Sequence, residues 1–103
     1  MSPGSNQRST RITLITAPGC HYCDDARKSL TQLVTEGAAI TLHLVEATSP
    51  AGLALLAEHR PPMNPLVLVD GTYFSAGRLP RRKLQALLDR RSAESPAEVS
   101  PRG

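Results

Sequence analysis

The sequence predicts an α/β domain whose elements follow the order β-α-β-α-β-β-α. Its strands form a mixed four-stranded sheet with helices on both faces. Two observations carry this prediction. Short β-branched or alternating apolar runs at 11–16 and 39–45 flank a segment of helical period, the pattern of a parallel crossover pair. Further on, the apolar run Leu66-Val67-Leu68-Val69 meets Asp70-Gly71, a strong hairpin signal, so the next strand returns antiparallel.

Each element has its own signal. Arg11-Ile12-Thr13-Leu14-Ile15-Thr16 is β-branched, apolar at its centre, and stopped by Ala17-Pro18-Gly19. From His21 the period becomes helical, with Ala26, Leu30, Leu33 and Val34 as one apolar stripe. Asp24 and Asp25 suit the positive end of that helix, and Asp24 can pair with Lys28. Gly37 offers the left-handed backbone of a C-terminal cap. In the next strand Ile40, Leu42 and Leu44 alternate with Thr41, His43 and Val45. Thr48 or Ser49 can cap the second helix ahead of Pro50, with Leu53, Leu56 and Ala57 as its apolar face. Thr72-Tyr73-Phe74-Ser75 forms the return strand, and Gly77 marks a turn. Pro80 opens the last helix, which buries Leu84, Leu87 and Leu88.

The chain has 103 residues, 40% of them hydrophobic, which fits one small globular domain. Residues 1–10 read as a flexible arm and 11–91 as the folded domain. Residues 92–103, with three Ser, two Pro and little to bury, read as a disordered tail. No stretch is apolar enough for a membrane span, and the first ten residues lack the apolar core of a secretory signal; a cytoplasmic protein is expected. The net charge of +3 does not call for nucleic acid, and the few aromatics (Tyr22, Tyr73, Phe74) give no base-stacking platform. The basic residues cluster, however: Arg78, Arg81, Arg82, Lys83, Arg90 and Arg91 face only Asp89. They form either a solvated helix face or a surface for an anion or acidic partner.

Both cysteines lie in Cys20-His21-Tyr22-Cys23. Disulfide exchange needs an exposed thiolate and a second thiol near enough to resolve the mixed disulfide. A spacing of three at a helix start brings the two side chains together. Cys20 sits where unpaired amides and the helix dipole stabilise negative charge. Such settings lower a thiol pKa from about 8.5 into the range of about 3.5–7.5. Cys20 is therefore the expected nucleophile and Cys23 the resolving thiol. His21, if protonated, tunes the Cys20 thiolate, against which Asp24 and Asp25 act. Tyr22 either flanks a bound substrate or simply packs. A zinc half-site would need further ligands, and His21, His43 and His59 are scattered; His43 and His59 read as structural. A C-x-x-C after a strand and within a βαβ pattern points to thioredoxin-like redox chemistry.

These residues resemble a glutaredoxin-like protein of the thioredoxin superfamily, over about Ile12 to Leu88. The likeness rests on Ala17-Pro18-Gly19-Cys20 with the C-H-Y-C motif, Pro65 before an apolar strand, Val69-Asp70-Gly71, and Gly77-Arg78-Leu79. It implies a glutaredoxin-type thioredoxin-like fold and a thiol-disulfide oxidoreductase working in electron transport and cell redox homeostasis. It also implies a cis Asn64–Pro65 bond, for which Pro61 and Pro62 compete by sequence although only Pro65 directly precedes the strand, with the Asn64 backbone pairing to an extended substrate, and Gly77 beside that substrate. The chain departs from dithiol glutaredoxins where His21 replaces proline and where Thr16 and Ala17 stand in place of a glutathione-binding lysine. It departs again where Ala76-Gly77-Arg78 replaces Gly-Gly-acid. The redox dithiol carries over; glutathione recognition does not.

The expected partners are a disulfide-containing protein or a small-thiol mixed disulfide, with no membrane and no specific nucleic acid. A monomer without a bound cofactor or metal is expected. Electrons would come from a low-molecular-weight thiol, glutathione or another, or from a reductase. The alternatives are a metal or iron–sulfur carrier using the same two thiols, and a non-catalytic interaction module on the same fold.

Overall fold

A computed structural model describes residues 9–99 of the chain. Its elements are β1 (Thr10–Thr16), α1 (His21–Thr35), β2 (Ile40–Glu46), α2 (Pro50–His59), β3 (Leu66–Val69), β4 (Thr72–Ala76) and α3 (Arg81–Val99). The sheet order is β2-β1-β3-β4. β1 pairs parallel with β2 and antiparallel with β3, and β3 pairs antiparallel with β4, so the mixed sheet and the element order are those expected. Asp70 and Gly71 have φ of +50° and +83°, the two left-handed residues of a type I′ hairpin. No helix among the described residues is long and apolar enough to cross a membrane.

One core lies between the sheet and the pair α1 and α3. Ile12, Leu14, Val67, Val69 and Phe74 meet Ala26 and Leu30 of α1 and Leu84 of α3 there. A smaller core on the other face joins Ile15, Leu66 and Leu68 to Leu55 and Leu56 of α2. β3 contributes to both, which is why its run is apolar without alternation. α1 ends in a Schellman motif: the Ala38 amide donates to Leu33 O (2.9 Å) and the Gly37 amide to Val34 O (3.0 Å), with Gly37 at φ +92°. Ser49 caps α2, its hydroxyl accepting from the Gly52 amide at 3.0 Å.

The packing corrects several expectations. Val34 is exposed, and the buried stripe of α1 begins instead at Cys23, running Cys23, Ala26, Leu30. Asp24 pairs with Arg27 at 3.6 Å rather than with Lys28. On α2, Leu53 is exposed and Ala57 faces solvent; Gly52, Leu55 and Leu56 turn inward, Leu55 and Leu56 onto the sheet and Gly52 against the backbone of Glu46 and Ala47 at the end of β2. Leu44 is exposed on the edge strand β2, so the alternation there is only half buried. Thr10 belongs to β1 and is buried, not part of an arm. The helix α3 continues past Arg91 to Val99, where a disordered tail was expected. Ala93, Glu94, Ala97 and Glu98 are helix-favouring residues, and a lack of apolar side chains does not by itself stop a helix. The expected arm at 1–8 and the tail at 100–103 lie outside the described residues.

Asp70 ties the hairpin to both ends of the fold. Its carboxylate accepts from the Arg11 amide at 2.9 Å and pairs with the Arg91 guanidinium, which also donates to Thr10 Oγ1 at 3.2 Å. Partial burial pushes the Asp70 carboxyl up, but the Arg11 amide and Arg91 outweigh it and hold the group below its ordinary value of 3.8. A depressed carboxyl stabilises the fold above its unfolded pKa, and that contribution is lost as pH falls through the folded one. Asp70→Asn keeps a residue that tolerates the left-handed turn and removes the charge. It is expected to cost less than about 1 kcal/mol at neutral pH, since both partners are partly exposed. Denaturant melts at pH 7 and near pH 2 check this: the gap between variant and parent should close at the acid end.

Candidate active site

Three chain segments meet at one end of the sheet. β1 leads from Thr16 through Ala17-Pro18-Gly19 to Cys20. Its Ile15 pairs with Leu66, which sets Pro65 beside the end of β1. Leu66 in turn pairs with Ala76, so Gly77 arrives at the same end, and its amide donates to Pro65 O at 2.9 Å. The Asn64–Pro65 bond is cis, the isomer the resemblance implies.

Cys20 is the N-cap of α1. Its backbone is extended (φ −98°, ψ 112°), and its sulfur accepts from the Cys23 amide at 3.1 Å. It thus fills the place that serine or aspartate takes at other helix starts. Cys23 lies one turn into the helix, 2% exposed and in the core-facing stripe. The two sulfurs are at disulfide distance with Cα atoms 5.2 Å apart, inside the usual range for such bonds. Cys20 is half-buried and is the sulfur a substrate can reach. An incoming negative charge on Cys20 meets the Cys23 amide and the positive end of α1.

The other predicted residues are distributed around this pair. His21 and Tyr22 are exposed between the cysteines, Tyr22 at 44%. Asn64 is half-buried ahead of Pro65, which is fully buried, and Gly77 is buried. His43 is exposed on β2, while the His59 ring ends α2 at 6.3 Å from the Tyr73 ring, so neither joins the dithiol end.

Two features of the site had no sequence signal strong enough to assign them. The Met63 thioether lies over Gly77: a Cβ built there would meet Met63 Sδ at 2.7 Å. Gly77 therefore serves as a seat for Met63 as well as a turn at φ +84°. The second is a groove just past the first turn of α1, where Arg81 meets Asp25 at 3.7 Å.

No protein-family model and no curated protein matches the chain. Among solved structures it is similar to an uncharacterized thioredoxin-like protein from Clostridium perfringens, determined in solution. The TM-score is 0.63 at 13% identity, over 79% of this chain and 69% of that one. The fold is thioredoxin-like. At that identity the likeness speaks for the architecture, and the chemistry has to be argued from the cysteine pair.

Proposed function

We propose that this protein is a thiol-disulfide oxidoreductase of glutaredoxin-like type. The observation that carries the reading is the asymmetry of the cysteine pair. Cys20 is reachable and hydrogen-bonded at a helix N-terminus, and Cys23 is buried within disulfide reach of it. The Cys20 thiolate attacks one sulfur of a substrate disulfide, forming a mixed disulfide and expelling the other sulfur as a thiolate. The Cys23 thiolate then attacks Cys20 Sγ, closing the Cys20–Cys23 disulfide and releasing the second substrate thiolate. Two electrons pass to the substrate. A low-molecular-weight thiol or a reductase returns them, as suits a dithiol working in the cytoplasm.

Asn64 and Tyr22 have supporting roles in this proposal. The backbone of Asn64, ahead of cis Pro65, pairs with an extended substrate segment, and Tyr22 flanks the attacked sulfur. His21 adjusts the thiolate when protonated.

Thiol titration tests the activation. The alkylation rate of reduced protein against pH is expected to place Cys20 below the free value of about 8.5. A midpoint at or above that value would reject helix-start activation of Cys20.

A further inference from the structure

We propose that the dithiol acts on acidic protein segments, docked through a basic groove beside it. The inference rests on the exchange reading above and names the substrate class for it. The groove, about 630 Å³, opens between Asp25, just past the first turn of α1, and the start of α3. Arg78, Arg81, Arg82 and Lys83 line it, with Asp25 as its one carboxylate among the described residues. Arg81 is held by Asp25 at 3.7 Å, and Lys83 Nζ sits 5.1 Å from the centre of the Phe74 ring. Arg78 and Arg82 are exposed and have no carboxylate in ion-pair range among the described residues. Three positive charges are therefore left in excess.

The geometry separates this groove from a merely solvated basic helix. Of the six basic residues in the cluster, Arg91 is spent on Asp70 at the hairpin end of the sheet. The four groove cations gather at the opposite, dithiol end. Asp25, on the groove wall, follows Cys20 by five residues, about 7 Å along the helix axis. That is comparable to the screening length of about 8 Å at physiological salt, so the groove's α1 wall lies within about one screening length of Cys20 along the helix and a bound segment several residues long can extend from the thiol onto it. Arg78 precedes α3 while Arg81, Arg82 and Lys83 fan around its first turn. Charges spread in this way suit several carboxylates along a chain better than one small anion. None of the lining residues is aromatic, so the stacking that single-stranded nucleic acid exploits is missing.

The test uses two synthetic peptides with the same intramolecular disulfide, one flanked by glutamates and one by glutamines. Reduced protein is expected to reduce the acidic peptide about tenfold faster at low salt, with the ratio falling toward one near 1 M salt. Arg82→Glu should bring the low-salt ratio to about one or below, whereas Arg90→Glu, the same charge change outside the groove, should leave it high. Equal rates for the two peptides, or a ratio equally sensitive to both substitutions, would overturn the docking inference. If neither peptide is reduced, the exchange reading fails instead. Binding of a cysteine-free acidic peptide to the Cys20→Ser variant, followed by amide shifts, then still decides the groove: shifts at Arg78–Lys83 support it, and their absence removes it. A single-stranded oligonucleotide that displaces the acidic peptide would overturn the protein-segment assignment.

Discussion

Cys20→Ser is expected to lower disulfide exchange by about 10³-fold or more, to the level of the reductant alone. The loss is chemical rather than structural. Serine is among the best N-cap residues, so its hydroxyl can accept the Cys23 amide in place of sulfur and α1 keeps its start. What is removed is a thiol, whose thiolate is the nucleophile and which a hydroxyl does not replace. Cys23→Ser gives a different result. Attack by Cys20 still occurs, but the mixed disulfide has no resolving thiol and accumulates as a covalent adduct. Because Cys23 is 2% exposed, serine buries a hydroxyl, at a cost of about 1–3 kcal/mol if it finds no partner. Cys23→Ala, which has no polar atom to satisfy, should trap the same adduct. Mass spectrometry of both variants after incubation with a disulfide peptide checks the prediction. Exchange persisting in Cys20→Ser would reverse the assigned roles.

The element order was legible because each strand and helix carried a local signal. Asp70-Gly71 specified its own turn, Gly37 its own cap, and the apolar run 66–69 its place at the middle of the sheet. Cys20 was legible for the same reason: its position at a helix start follows from the breaker cluster before it. What could not be read were contacts between segments distant in sequence. Arg91 looked like one more exposed cation until Asp70 met it across the fold. Arg81 and Asp25 are more than fifty residues apart, and only the packing of α3 against the sheet beside α1 makes them neighbours. The apolar face of α2 was misread at Leu53 because periodicity cannot distinguish which of two adjacent stripes a helix turns inward. That choice belongs to Gly52, whose missing side chain lets the backbone approach.

Gly52→Ala is therefore the substitution expected to destabilise the fold most, although propensity alone predicts the reverse. Alanine in a helix is favoured over glycine by about 1 kcal/mol. At Gly52, however, an added Cβ would fall onto the carbonyl oxygen of Glu46 and lie 3.0 Å from Ala47 Cα. Both are backbone atoms, at the end of β2 where the chain turns into α2, and neither can rotate away as a side chain would. Overpacking against rigid neighbours costs about 1–3 kcal/mol and sometimes more. Relief would require α2 to lift from Leu66 and Leu68, opening the smaller core as well. A net loss of about 3 kcal/mol is expected, large against the total stability of a domain this size, and it should lower Tm by more than about 10 °C. Gly37→Ala supplies the contrast. A Cβ there meets nothing within 4 Å, and the cost comes only from φ +92°, about 1 kcal/mol. Thermal melts of the two variants should order Gly52→Ala well below Gly37→Ala. Equal midpoints would mean that α2 is free to shift on the sheet and that Gly52 does not set its depth.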